Sequence, residues 1–182
     1  MTDREQPLLD IRNLVTEFTT ETGPVKAVKG VDLTIAPGET LALVGESGSG
    51  KSVTSLSVMG LLPRGVGRIT QGEILFHGRD GQIRDLAQLD EDKLSAIRGA
   101  EIAMVFQEPM TSLNPAHRIG DQIAEAARLH QGLSRRAARE RAIEMLALVE
   151  IPDPRARAKV FPHQLSGGMR QRVMIAIALV CN

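Results

Sequence analysis

Residues 45 to 52 read Gly-Glu-Ser-Gly-Ser-Gly-Lys-Ser, and this octet constrains the fold more than any other stretch of the chain. Gly45, Gly50, Lys51 and Ser52 satisfy the spacing G-x-x-x-x-G-K-[ST]. That spacing works as a turn between a buried strand and a helix, where glycines let the backbone approach a phosphate and the helix lends its positive end. The flanks fit. Thr40 to Val44 is a short apolar run of the kind buried on both faces of a parallel sheet, and Lys51 to Leu62 has a helical pattern. Chance matches to the four fixed positions occur in about one chain in a hundred of this length, before the flanks are considered. The bland alternative is a Gly/Ser turn followed by a solvated lysine.

The chemistry follows from the residue types. Gly45, Gly48 and Gly50 are expected to take positive φ, so that successive N–H groups point inward as an anion nest. Lys51 would reach the β and γ oxygens of a triphosphate, and the Ser52 hydroxyl would ligate magnesium. Ser47 and Ser49 would contribute mainly backbone N–H groups, with Glu46 inside the same loop.

The chain of 182 residues is long enough for one domain with its own core. Its 22 Lys and Arg balance 22 Asp and Glu, which gives no electrostatic reason to expect nucleic acid or an anionic membrane as main partner. Cys181 is the only cysteine and cannot form an internal disulfide, and the N-terminus lacks the basic-then-apolar pattern of a secretory signal. A cytosolic compartment is expected. The longest apolar run, Val173 to Cys181, falls well short of the ~20 residues that cross a bilayer.

Leu8 to Phe18 and Val31 to Ile35 read as an antiparallel strand pair around a turn at Thr19 to Pro24. Pro63-Arg64-Gly65 ends the helix after the phosphate loop, and strands are expected at Gly72 to Phe76 and Ile102 to Phe106. Beyond Pro109 the pattern turns helical, over Ile119 to His130 and Ser134 to Glu150, the second with Ala138, Ala142, Met145, Leu146 and Val149 on one face. Arg135, Arg136, Arg139 and Arg141 alternate with Ala and Glu140, which reads as a solvated face in preference to a nucleic-acid patch.

Residues 165 to 172, Leu-Ser-Gly-Gly-Met-Arg-Gln-Arg, precede a helical pattern from Met169 to Val180. Ser166 offers a capping hydroxyl there, and Gly167 and Gly168 permit close backbone approach. With both motifs in hand, the chain resembles the nucleotide-binding domain of ABC transporters from Leu8 onward. The resemblance implies an α/β P-loop NTPase core with an N-terminal antiparallel β segment and a helical subdomain. Its segments would be residues 1 to 107 (β segment and core), 108 to 165 (helical subdomain) and 166 to 182 (signature helix). It also implies that Ser166, Gly167 and Gly168 face the γ-phosphate of ATP held by the other subunit's loop. Gln107, after the strand at Ile102 to Phe106, resembles the Q-loop glutamine that contacts magnesium and the attacking water.

Glu46 and Ser47, Phe106 to Pro115, and Phe161-Pro162-His163-Gln164 look like the bacterial dipeptide, oligopeptide and nickel importer ATPases. Such a subunit is implied to sit on the cytoplasmic face of the bacterial inner membrane as a homo- or heterodimer. It would join integral membrane permeases, with an extracytoplasmic solute-binding protein as an indirect partner and no nucleic acid. Two features depart from the family pattern. There is no Tyr or Trp to stack on adenine, so Phe18 is the candidate, with a core role closing its strand as the alternative and Val28 as another apolar contact. None of His77, His117, His130 and His163 matches the switch histidine, and surface or packing roles are expected of them. Cys181 reads as core.

In the family, the strand ending in Asp-Glu and the switch histidine follow the signature helix, whereas this sequence reaches Asn182 first. The 182 residues alone are therefore expected to bind ATP weakly, to hydrolyse it hardly at all, and to leave apolar surface and unpaired backbone exposed. The leading expectation is an ATP-binding subunit powering uptake of peptides or similar solutes. The alternatives are a soluble ABC-type ATPase acting on nucleic acid or ribosomes, and a nonhydrolytic binding module.

Overall fold

The computed structural model describes residues 6–107 and 112–181, which form two compact units meeting between Leu94 and Ser95. The first unit is built on a four-stranded antiparallel sheet in the order β2-β1-β3-β4. Its strands are β1 (Leu9–Thr20), β2 (Gly23–Ile35), β3 (Gly67–His77) and β4 (Ile83–Asp85). The expected hairpin is present, with pairing from Leu9 opposite Ile35 to Thr20 opposite Gly23, so β2 starts earlier than its apolar pattern suggested.

β1 does not alternate evenly. Asn13 takes φ 46° and its N–H donates to Asp32 Oδ1 at 2.8 Å, making a bulge where the register shifts between Ile11 and Leu14. The extra residue turns Ile11, Leu14, Val15 and Thr16 all into the interior. β3 passes this bulge at Gly72, whose φ is 96°.

Helix α1 (Lys51–Val58) is shorter than the expected span to Leu62. Gly60, at φ 59°, closes it: Leu61 N–H donates to Leu56 O at 2.8 Å and Gly60 N–H to Ser57 O at 3.1 Å, the paired bonds of a Schellman motif. α1 is tied to β1 by a buried hydroxyl pair, Thr16 Oγ1 and Ser57 Oγ, 2.9 Å apart. Asp90 caps α2 (Glu91–Ile97) by accepting from Lys93 N–H at 2.9 Å. That backbone bond, and then the Lys93 ammonium, holds the Asp90 carboxyl below the usual carboxylate range. The cap is thus fully made above an ordinary carboxylate pKa and lost as pH falls through the lowered one.

Two expected strands are absent. Thr40 to Val44 and Ile102 to Phe106 are irregular, apart from one parallel bridge between Arg98 and Ile102. A strand of a parallel sheet needs neighbours on both edges and cover on both faces, and among the described residues no strand pairs with either run. Their apolar side chains lie open, with Leu41 43%, Leu43 46%, Val44 87% and Phe106 43% exposed. For a polypeptide of residues 1–182, replacing Leu41 and Val44 with Thr is expected to reduce binding of a hydrophobic dye several-fold; unchanged dye fluorescence would place the sticky surface elsewhere.

The second unit is helical: α3 (Ile119–Gln131), α4 (Arg135–Leu148), α5 (Pro154–Arg157), a 3-10 turn at Pro162–Gln164, and α6 (Gly167–Leu179). α3 stops at Gly132 in the left-handed region, and Ser134 opens α4 by accepting from Ala137 N–H at 3.3 Å. Ile119, Ile123 and Ala127 of α3 meet Ala138, Ala142, Met145 and Leu146 of α4 and Val173 and Ala176 of α6 in one core. Val149 is partly buried against it, so the face expected of α4 is the one that packs. Cys181 is buried in the same core. Arg135, Arg136 and Arg139 are exposed as expected, whereas Arg141 turns inward and donates from Nε to Val180 O at 3.4 Å.

Candidate functional site

The phosphate loop leads directly into α1, whose N-cap is Gly50 at φ 94° with no side-chain cap. The first-turn N–H groups of α1 are therefore not taken by a capping side chain. Gly48 also has positive φ, at 81°. Gly45 does not, which corrects the expectation for that residue: a Cβ there would sit 2.8 Å from Ser49 Oγ, a hydroxyl that can rotate, so its closeness within the loop is to a side chain and not to backbone. Gly50 meets both demands, because its Cβ would lie 2.6 Å from the Ala27 carbonyl oxygen of β2.

Lys51 turns its ammonium back over the loop. Nζ donates to Gly45 O at 2.8 Å, Glu46 O at 2.7 Å and Ser49 Oγ at 3.2 Å. A cation is thus held inside a ring of backbone, beside an uncapped helix start, and Ser52 is exposed on the first turn. This arrangement fits a polyphosphate: the glycines admit it, the helix N–H groups point at it and Lys51 neutralises it. Among the described residues no group of three His, Cys, Asp or Glu side chains could cage a metal. A bound magnesium would take few ligands from side chains, with Ser52 and Gln107 as the expected ones beside phosphate oxygens and water.

Phe18 is half-buried near the end of β1, its ring against Gly67 of β3, where an added Cβ would be 3.0 Å from a ring carbon. Val28 is buried at 3% exposure and is not an open apolar face. Of the histidines, His163 stacks on Phe161 with ring centres 5.8 Å apart, and His130 packs against Gly99. His77 ends β3, and the His117 carbonyl accepts from Gln122 Nε2 at 2.9 Å.

Gln107 and the signature residues belong to the second unit. Gln107 is exposed in a bend; Glu108 to Thr111 of the Phe106 to Pro115 segment lie outside the described residues. Ser166 caps α6 as anticipated, accepting from Met169 N–H at 3.3 Å. Gly167 and Gly168 form the first turn of α6 without positive φ, and an added Cβ at either would meet nothing within 4 Å. Among the described residues, nothing requires them to be glycine. A side chain at either would intrude only on something approaching from outside.

A profile of the family described as ABC transporter matches residues 28–182. The chain belongs to the ABC transporter family. Among its relatives, a Brucella melitensis protein named for peptide import and ATP binding is 60% identical over 97% of this chain and 52% of its own length. The dipeptide transport ATP-binding protein DppD of Bacillus subtilis is 51% identical over 97% of this chain and 51% of its own length. The chain therefore spans about half the length of the curated relatives it matches. The dimeric ATP-binding cassette MJ0796, solved in a post-hydrolysis state with ADP and phosphate, superposes with a TM-score of 0.81 at 31% identity. That match covers 96% of this chain and 70% of the cassette. The fold is accordingly the α/β P-loop core of an ABC ATPase, antiparallel β segment and helical part included.

Some residues that organise this ABC unit were not legible as such. Arg170 Nε donates to Leu165 O at 3.0 Å, and Arg172 Nη1 reaches Val149 O at 3.4 Å and Glu150 O at 2.9 Å. The signature's arginines thus brace α6 against its own approach and against the end of α4. Gln122 bonds Asn114 through both its amide atoms, at 3.0 Å each, pinning the segment after Gln107 to α3. No helical or strand period connects these pairs, which join a side chain to a backbone carbonyl or N–H five, eight or more than twenty residues away.

Proposed function

We propose that the chain is the nucleotide-binding part of an ATP-binding subunit in an ABC importer, coupling ATP binding and hydrolysis to uptake of peptides or related small solutes. The observation that carries this is the pair Gly167 and Gly168, glycines at a helix start that no internal contact demands. A helix N-terminus stripped of side chains is suited to a close-approaching anion, and the loop at Gly45 to Ser52 is suited to holding one. On this reading each subunit holds ATP and magnesium with Lys51 and Ser52 and presents Ser166, Gly167 and Gly168 to the ATP of a second subunit, the same or different. Phe18 offers its ring to adenine, and Gln107 addresses magnesium and the attacking water.

The names of the relatives support the importer class. Closure on ATP, passed from residues 1–107 through the helical segment 108–165 and the signature helix 166–182, would drive integral membrane permeases served by a solute-binding protein outside. The subunit would sit peripherally on the cytoplasmic face of the bacterial inner membrane. No described helix is long and apolar enough to cross a bilayer.

Gly168→Ala in the full-length protein tests the reading, because it separates function from folding. The substitution fills open space at ordinary helical φ and is expected to raise stability by about 0.5 kcal/mol. ATP binding to the monomer should be retained while ATP-dependent dimerisation, read by size-exclusion chromatography, is lost. A stabilised variant that still dimerises would remove the basis for the proposal. Ser166→Ala makes the complementary case: loss of the cap costs about 1 kcal/mol, seen as a lower Tm, and dimerisation weakens as well.

A further inference from the structure

The chain is neutral overall but its charge is unevenly placed. Residues 95–182 carry twelve Arg and Lys against eight Asp and Glu, and residues 1–94 carry ten against fourteen, so the second unit holds the positive excess. Part of that excess converges on a cleft of about 200 Å3 whose walls include Arg118, Arg139, Arg155 and Lys159, with Asp121 as its one carboxylate. These cations come from three places in the fold: the start of α3, the exposed face of α4, and α5 with the turn after it.

The cleft is a rigid one. Ile119 N–H donates to Val160 O and Gly120 N–H to Ala158 O, both at 2.9 Å, which clamps the segment carrying Lys159 beside Arg118. Gly120 is obligatory there, since a Cβ would stand 2.8 Å from the Ala158 Cβ and carbonyl oxygen. Arg118 is set over the Phe161 ring, 6.0 Å from its centre. Because the Ile119 and Gly120 N–H groups are already bonded, any pull on an anion comes from the side chains.

Two of the four charges are paired within the chain and two are not. Arg139 reaches Asp121 only at 3.7 Å, and Arg155 spends itself on Glu140 at 3.0 Å outside the cleft walls. Among the described residues, Arg118 and Lys159 form no ion pair. Arg118 and Lys159, without ion pairs on either side of a small concavity, suit a compact, multiply charged anion, which a guanidinium fork binds with paired hydrogen bonds. An extended polyanion would instead call for cations strung along a groove.

We propose that this cleft is a binding site for a phosphate monoester, separate from the phosphate loop, with Arg118 and Lys159 as its principal contacts. The test uses full-length protein carrying Lys51→Ala, so that the phosphate loop contributes little, titrated calorimetrically with glycerol 3-phosphate at fixed ionic strength. Saturable binding is expected. Adding Arg118→Gln and Lys159→Gln should weaken it by about tenfold or more, while Lys159→Arg retains it. On a protein with Lys51 intact the two Gln substitutions should leave Tm and ATP hydrolysis unchanged. Cosedimentation with phosphatidylcholine vesicles containing phosphatidic acid identifies the source. Vesicle binding that glycerol 3-phosphate competes away assigns the site to a lipid headgroup, and titration without cosedimentation assigns it to a soluble ester; both support the site. Absence of saturable binding, or binding indifferent to Arg118 and Lys159, overturns it, and neither result bears on ATP-dependent dimerisation.

Discussion

On the proposed reading, Lys51→Ala in the full-length protein is expected to lower ATP hydrolysis by about 10²–10³-fold, the scale of losing one preorganised charge at a phosphoryl-transfer site. The structure says why so little else should change. Among the described residues the ammonium is bonded only to Gly45 O, Glu46 O and Ser49 Oγ, all within its own loop and exposed, so the fold does not lean on it. Tm should move by no more than a few degrees, and nucleotide-dependent dimerisation should disappear. Lys51→Arg should not rescue activity, because a planar, delocalised guanidinium does not reproduce the point charge that the ammonium places between the two carbonyls at 2.7 and 2.8 Å. A Lys51→Ala protein hydrolysing ATP within tenfold of the unaltered one would sink the assignment of the loop.

Gly72→Ala should be the most damaging single methyl in the sheet. Its Cβ would fall 2.5 Å from both the Arg12 and the Asn13 carbonyl oxygens, and its φ of 96° already disfavours any side chain. Neither oxygen belongs to a flexible side chain, so β1 and β3 must separate at the bulge. We expect a loss of about 3 kcal/mol or more, measured by calorimetry or denaturant unfolding. Gly81→Ala provides the control: its φ is 76° but nothing lies within 4 Å, so it isolates the backbone preference at about 1 kcal/mol. Equal losses at the two positions would show that the carbonyl contacts at Gly72 do not matter.

Local signals in the sequence were read correctly where one segment decided the outcome. Ser166 announces α6 because a hydroxyl three residues ahead of an N–H is a local arrangement. The apolar face of α4 was equally plain from spacing. Thr40 to Val44 shows the opposite case, since strand propensity is realised only by neighbours that pair with it, and the described residues supply none. Gly45 looked like a positive-φ glycine because the motif contains several, yet its constraint is the Ser49 hydroxyl next to it. The bulge at Asn13 and its partner Gly72 lie far apart in sequence, and no period of two or 3.6 connects them. For the candidate site, residue types and spacing marked Lys51, Ser52 and the signature glycines, but only coordinates show that Gly167 and Gly168 stand in open space.

The bonds made by Arg170 and Arg172 bear on how two such subunits would find each other. Both guanidinium groups are turned to carbonyls of their own chain, at Leu165, Val149 and Glu150. What α6 offers outward at its start is a hydroxyl and bare peptide groups, dipoles whose reach is short. Because a neutral carbonyl leaves the guanidinium charge in place, the two arginines would still draw an anionic partner surface from a distance on the proposed reading, and encounter there should slow as ionic strength rises. On the proposed reading the face would act as a contact latch, whose hold would depend on how long the partner's terminal phosphate stays in place.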